Sequence, residues 1–163
     1  MARPQGEGGQ DQSDDDDTEH HRDAGCGRQP AQERGGHEGT EARTADNGHA
    51  LHPNHGEYAD PVNAPRLNEG IVIKFNAQQK YATDGFSAAF FRDLCRRVEV
   101  PTQTFTNRSD IPGGSTLGNI SNTKVSMPTV DIGLPQLAMH SSYETAGTKD
   151  TAYLVMACTA FFE

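Results

Sequence analysis

The N-terminal part of the sequence lacks the large aliphatic and aromatic side chains that normally build a core. Between Ala2 and Ala50 there is no Val, Ile, Leu, Phe, Tyr or Trp, and Leu51 is the first large aliphatic residue. Ordering a residue costs roughly 1–2 kcal/mol in backbone entropy, which buried apolar surface normally offsets. We therefore expect residues 1–44 to form a disordered, acidic, low-complexity tail and residues 45–163 to form the folded part of the chain.

Charge divides the chain at the same place. The net charge of −9 is concentrated N-terminal to Asp46, where acidic side chains outnumber basic ones about two to one. No basic face is interleaved with aromatic residues, so nucleic acid is not an expected partner. No apolar run reaches the roughly 18 residues of a membrane-spanning helix. The 3 cysteines are far apart and form no CxxC motif, which favours a reducing, cytoplasmic location over a disulfide framework.

Short apolar stretches and helical periodicities alternate in the C-terminal part. Strands are predicted at residues 70–76, 102–106 and 129–133, which are β-branched or apolar and bounded by turn residues. One predicted helix is capped by Asp84, and another begins at about Gly147. Strands that alternate with helices indicate the α/β class.

The expected core combines both helices with the first predicted strand. Phe86, Phe90 and Leu94 recur every four residues, which predicts that they form the buried stripe of the first helix. In the final helix the predicted apolar side carries Tyr153, Leu154, Ala157, Ala160 and Phe161. The residues expected to cluster are Ile71, Ile73, Phe86, Phe90 and Leu154.

A loop rich in histidine supplies the first candidate site. His49, His52 and His55 are spaced by three and follow Asp46. On a helix this spacing would align the imidazoles, but the Asn-Gly and Pro-Asn pairs between them break a helix. Asp and His together in a loop suit a metal-binding or catalytic site, although spacing alone also fits an ordinary loop.

Three further features each have a functional and a structural interpretation. Lys74 interrupts an apolar strand, and it either snorkels to the rim or offers a cation to an acidic ligand. His140 stands alone after the last predicted strand, where a histidine is more often structural than catalytic. The Gly-Gly-Ser-Thr loop at residues 113–116 either cradles an anion with backbone amides or is a plain turn.

Four blocks of sequence, in this order and spacing, resemble the M18 family of zinc aminopeptidases, the aspartyl aminopeptidases. The blocks are ADNGHALHPN (45–54), NEGIVIKFNAQQKYA (68–82), NRSDIPGGSTLGNI (107–120) and VDIGLPQLAMHS (130–141). The resemblance covers about residues 45–163 and is to the C-terminal part of the family's catalytic domain. It implies an α/β fold in which a partial mixed-sheet zinc-peptidase sandwich, phosphorylase/hydrolase-like, follows the disordered tail.

The resemblance also implies an activity and a set of site residues. Members use two Zn²⁺ ions to remove a single N-terminal residue, preferably Asp or Glu, from peptides. By resemblance, Asp46 is a carboxylate ligand of one zinc ion and His140 is the imidazole ligand of the other. His49, Lys74 and Tyr81 match substrate-binding positions, and Lys74 is the natural partner of the acidic side chain. One ion would polarise the scissile carbonyl while the pair lowers the pKa of a bridging water.

Other groups of the family have no counterpart in this chain. In members, a bridging aspartate, another metal-binding histidine and a Glu-Glu pair precede the matched region, and this pair supplies the general base. A dimerisation domain is also without a counterpart, although members form large homo-oligomers. We therefore expect no catalytic base within this chain, and an isolated chain that is inactive or nearly so.

Two alternatives to a shortened peptidase remain. The chain could be a non-catalytic remnant that binds peptides with acidic N-termini or co-assembles with full-length paralogues. Alternatively, the reading frame before Asp46 is wrong or the gene is broken, and the upstream DNA would then encode the Glu-Glu pair in another frame.

Overall fold

The computed structural model describes residues 42–163. The elements in chain order are β1 (Ala42–Ala45), β2 (Gly48–His49), a 3₁₀ turn (Gly56–Tyr58), β3 (Ile71–Phe75), α1 (Gly85–Arg97), β4 (Thr102–Thr106), α2 (Leu117–Asn122), β5 (Thr129–Gly133), β6 (Pro135–Leu137), β7 (Thr145–Ala146) and α3 (Thr148–Phe162). Strand β1 begins before the boundary expected at residue 45. Residues 1–41 of the predicted tail lie outside the described residues, so their disorder stays a prediction.

The strands form two sheets. A four-stranded sheet has the order β1-β5-β3-β4, and a smaller sheet has the order β2-β6-β7. Strand β3 runs parallel to β4 and antiparallel to β5, while β1 runs parallel to β5. The expected α/β class with a mixed sheet is therefore confirmed. The smaller sheet was not predicted, because strands of two or three residues are too short to show an alternating pattern.

Alternation along the strands gives the large sheet two different faces. Ile71 and Ile73 of β3 belong to the main apolar cluster, which also contains residues of α1 and α3. Val72 belongs to a separate cluster on the opposite face, and Lys74 follows it there because successive side chains alternate. In β5 the same alternation directs Asp131 to the face that carries Lys74.

Helix α1 buries a different stripe from the one expected. Ala88, Phe91 and Cys95 are at most 1% exposed, whereas Phe86 is 65% and Phe90 is 40% exposed. The expected burial of Phe86 and Phe90 is therefore wrong. Both stripes repeat at helical spacing, so periodicity alone left two faces available. Packing against β5 and α3 selected the stripe that contains Phe91.

The other core expectations hold. Ile71 and Ile73 lie in the main cluster, and Tyr153 and Leu154 of α3 pack against it. Ala157 is fully buried at the centre of the apolar side predicted for this helix. Neither α3 nor another helix of residues 42–163 is long and apolar enough to span a membrane.

Asp84 caps helix α1, as its position in the sequence predicts. Its Oδ1 accepts a hydrogen bond from the Ser87 N–H at 2.7 Å, while the Asp84 N–H donates to the Ser87 Oγ at 3.1 Å. This reciprocal pair is a capping box, which satisfies amide groups that the first helical turn leaves free. The hydrogen bond from the Ser87 amide lowers the pKa of Asp84.

Replacing Asp84 with Ala should lower the free energy of unfolding by about 1 kcal/mol in urea titrations. Because the folded-state pKa of Asp84 lies below its unfolded value, the charged cap stabilises the fold above the unfolded pKa. That contribution is lost as pH falls through the folded pKa. The control is Asp84→Asn, which should keep the stability at neutral pH but lose this acid dependence. Equal stability of the Ala variant and the wild type at pH 7 would contradict the assignment.

Candidate functional site

A cavity of about 540 Å³ opens on the face of the large sheet that carries Lys74. Its walls come from the segment at residues 46–65, the ends of β3 and β4, Tyr81, the loop at residues 107–115, and β6 with the residues that follow it. All the site residues named from sequence line this one cavity: Asp46, His49, Lys74, Tyr81 and His140. The fold therefore brings together residues that are far apart in the sequence, and their individual roles stay predictions.

Lys74 is buried in the wall of the cavity. Its Nζ donates to the Asn47 carbonyl oxygen at 2.8 Å and lies 3.3 Å from Asp46 Oδ2. The Lys74 side chain is 3% exposed and that of Asp46 is 61% exposed, so the ammonium does not snorkel to the rim. Burial lowers the pKa of Lys74, and the charge of Asp46 partly opposes this effect. A ligand carboxylate can replace the exposed Asp46 carboxylate as the partner of this buried ammonium.

Tyr81 stands beside this ammonium. The Lys74 Nζ lies 5.4 Å from the centre of the Tyr81 ring, and the ring packs 6.4 Å from that of Phe105. The Tyr81 hydroxyl donates to Asn107 Oδ1 at 3.2 Å. Burial raises the pKa of Tyr81, so the phenol stays protonated at neutral pH. The cavity wall thus presents a cation next to a neutral hydroxyl.

Asn47 fixes the turn that carries Asp46 and His49. Its Nδ2 donates to Gln136 Oε1 at 2.7 Å, and its Oδ1 accepts the Leu134 N–H at 3.2 Å. Strand β2 continues this connection, because Gly48 and His49 pair in parallel with β6. Sequence reasoning missed the role of Asn47, since its hydrogen-bond partners lie 87 and 89 residues later in the chain.

His140 occupies an exposed loop after β6, as predicted. Its backbone adopts φ +66°, in the left-handed region that residues other than glycine rarely adopt. The His140 N–H donates to Glu144 Oε1 at 2.7 Å, which helps to hold this conformation. Gly147 then caps α3, so the predicted order of strand, loop and helix is correct, with β6 and β7 added to the loop.

The glycine-rich loop approaches Tyr81 through Asn107. A Cβ atom on Gly113 would lie 2.5 Å from Asn107 Oδ1, the atom that accepts the Tyr81 hydrogen bond. The Lys80 Nζ donates to the Gly113 carbonyl oxygen at 2.9 Å. Glycine at 113 therefore has a packing role, and the anion-cradle hypothesis stays a prediction.

The other two histidines of the predicted loop also line the cavity. The rings of His52 and His55 lie 5.0 Å apart, and His55 Nδ1 is 3.0 Å from Glu57 Oε1. Their segment is a loop with a single 3₁₀ turn, in agreement with the expectation that HxxHxxH is not helical here. The hydrogen bond with His55 lowers the pKa of Glu57.

The described residues do not by themselves complete a zinc site. Among residues 42–163, no three His, Cys, Asp or Glu side chains are grouped so that they could hold a metal ion. A protein zinc site uses about three or four ligands. Asp46 and His140 are donors of the right chemical type on one cavity, but two donors fall short of that number.

Gly133 allows β5 to pass close to the backbone of Asp46. A Cβ atom at this position would overlap the Asp46 carbonyl oxygen and lie 3.0 Å from the Asn47 Cα. Backbone atoms cannot rotate away as side chains can. The turn that presents Asp46 therefore depends on glycine at this position.

Gly133→Ala should lower the free energy of unfolding by about 1–3 kcal/mol because it overpacks this contact. Gly85→Ala is the control, since a Cβ at Gly85 meets nothing within 4 Å. Urea unfolding of both variants measures the difference. A Gly133→Ala protein as stable as Gly85→Ala would show that the two backbone segments are not in contact.

Comparison with known proteins finds matches to the described part of this chain. The family model described as "Aminopeptidase I zinc metalloprotease (M18)" matches residues 41–162. The probable M18 family aminopeptidase 2 of Azotobacter vinelandii is 51% identical over 119 residues, which cover 73% of this chain and 28% of that protein. This chain therefore spans little more than a quarter of the length of such curated relatives.

Solved structures resemble the same region. In the cryo-EM structure of the Ape4 and Nbr1 complex, a chain that is 39% identical matches with a TM-score of 0.73, over 75% of this chain and 23% of its own length. The mApe1 dodecamer of S. cerevisiae matches with a TM-score of 0.66 at 29% identity, over 75% of this chain and 26% of that one.

Proposed function

Since this chain belongs to the M18 family of zinc aminopeptidases, which hydrolyse peptide bonds, we propose that its cavity binds the acidic N-terminal residue of a peptide. In this proposal residues 45–163 are the C-terminal part of an M18 catalytic domain. Asp46 and His140 each contribute one ligand to one of two zinc ions, while His49, Lys74 and Tyr81 contact the substrate.

The buried ammonium of Lys74 is the observation that carries the proposal. Because the Lys74 side chain is shielded from water, a charge-assisted hydrogen bond from it to a carboxylate is strong. A substrate with an apolar N-terminal side chain would leave the ammonium without that bond, and such losses discriminate strongly between ligands. The Asp46 carboxylate is exposed at the cavity, so a substrate carboxylate can displace it from Lys74. In that position Asp46 is also available to a metal ion.

The proposed chemistry needs groups beyond those described. Bound zinc would supply Lewis-acid activation of the carbonyl and of a water molecule. Residues of this chain would orient the substrate, since Lys74 holds the acidic side chain and Tyr81 offers a protonated hydroxyl. No adjacent pair of glutamates occurs in the 163-residue sequence, so we assign no general base to it.

The substrate-binding proposal is tested with dipeptides. In calorimetric titrations of the 163-residue chain, Asp-Ala should bind more tightly than Ala-Ala. Lys74→Met should weaken Asp-Ala binding about tenfold or more, because a hydrogen bond to a charged group is lost. Lys124→Met removes an exposed lysine outside the cavity and should change nothing. Equal affinities for both dipeptides, or no effect of Lys74→Met, would contradict the proposal.

The isolated chain should show little or no peptidase activity. With one donor for each of two ions and no assigned base, turnover of Asp-p-nitroanilide with Zn²⁺, Mn²⁺ or Co²⁺ should stay at the level of the buffer. Release of p-nitroaniline measures this. Turnover that disappears in His140→Ala would overturn the expectation, because it would show that the chain forms a working site.

A second candidate is co-assembly with longer M18 chains. The observation that favours it is the exposure of Phe86 and Phe90, two apolar side chains that residues 42–163 do not cover. A cytoplasmic location is part of both proposals and is supported by the free thiols of Cys95 and Cys158. Size-exclusion chromatography of a mixture with a full-length paralogue tests for co-assembly.

A further inference from the structure

One buried carboxylate joins two segments that build the cavity wall. Asp131 of β5 is fully buried, and its Oδ2 accepts the Ala82 N–H at 2.5 Å. Its Oδ1 accepts the Thr116 hydroxyl at 2.9 Å. The Asp131 N–H also donates to Thr83 Oγ1 at 2.8 Å. A single side chain and its own amide thus hold the residues that follow Tyr81 and the last residue of the glycine-rich loop.

Both segments also contact Asn107, a residue of the cavity wall. Tyr81 directly precedes Ala82, and its hydroxyl donates to Asn107 Oδ1. Gly113 of the glycine-rich loop packs against the same Asn107 oxygen. A shift of either segment at Asp131 would therefore change the contact of that segment with Asn107.

The strand register also relates Asp131 to the ammonium. Antiparallel pairing matches Ile73 of β3 with Ile132 of β5. Lys74 and Asp131 adjoin this pair, and both lie on the face opposite the main apolar cluster. Burial raises the pKa of Asp131 while the charge of Lys74 opposes this, so the two charges support each other.

We propose that Asp131 is a positioning residue of the substrate site, which sets Tyr81 in place beside Lys74 and holds the loop at residues 113–116 against Asn107. It acts through these neighbours, since it does not itself line the cavity. The assignment of an acidic ligand rests on the function proposed above, whereas the link between the two segments does not.

Asp150 provides a matched control. It is also fully buried, and it accepts the N–H groups of Asn68 at 2.6 Å and Gly70 at 2.9 Å. None of these three residues lines the cavity. Loss of either buried carboxylate should therefore destabilise the fold, but only loss of Asp131 should disturb the site.

The test compares Asp131→Asn with Asp150→Asn under conditions in which urea titration shows both to be folded. Asp131→Asn should weaken Asp-Ala binding by about fivefold or more, and Asp150→Asn should stay within about twofold of the wild type. In ¹⁵N NMR spectra, Asp131→Asn should shift the amide signals of residues 81–83 and 113–116 together. Asp150→Asn should shift neither group.

A milder variant covers the case in which Asp131→Asn does not fold. Thr116→Val removes only the hydroxyl donor and keeps the shape of the side chain. It should still shift the Ala82 amide signal, because both groups share the Asp131 carboxylate. The matched variant Thr159→Val removes a hydroxyl that bonds only to the Val155 carbonyl oxygen in α3, and it should leave that signal unchanged.

The outcomes separate this inference from the function on which it draws. If the wild type does not bind Asp-Ala, the proposed substrate is wrong, and the NMR comparison still decides the positioning role. The positioning role is overturned if Thr116→Val leaves the amide signal of Ala82 unchanged. It is also overturned if Asp150→Asn changes Asp-Ala binding and the amide signals of residues 81–83 and 113–116 as much as Asp131→Asn does.

Discussion

The arrangement of the cavity depends on the burial of one ammonium group. Removing a charge from water costs several kcal/mol unless partners replace its hydration. For Lys74 those partners are the Asn47 carbonyl oxygen and the Asp46 carboxylate, which the turn after β1 delivers to the end of β3. Asn47 in turn is held by Gln136 of β6. The position of the metal-ligand candidate thus follows from the need to pair a cation.

The mixed topology allows this pairing. Alternation gives the large sheet an apolar face covered by α1 and α3 and a second face that carries polar groups. Because β5 pairs antiparallel with β3 through Ile73 and Ile132, the adjoining residues Lys74 and Asp131 share the polar face. Because β1 runs parallel to β5 and Ala45 pairs with Ile132, Asp46 leaves the sheet beside the end of β5, within reach of the Lys74 side chain. One face of this sheet therefore packs against the helices of the core, and the other face lines the cavity.

Sequence reasoning succeeded where the determining interactions are local. The long β-branched strands and the cap at Asp84 follow from a few neighbouring residues, and recognisable motifs identified the residues that line the cavity. It failed for Phe86 and Phe90, because the choice between two apolar stripes is made by packing. It also missed Asn47 and Glu144. The former acts through distant partners, and the latter through a loop conformation that no periodicity encodes.

The left-handed backbone of His140 has a consequence for how this loop can evolve. Such a conformation costs of order 1 kcal/mol or more for a residue with a Cβ atom, and glycine would relieve it. The substitution that best relieves this strain, His140→Gly, also removes the imidazole. Relief of the backbone strain and retention of the imidazole are therefore opposed at this position.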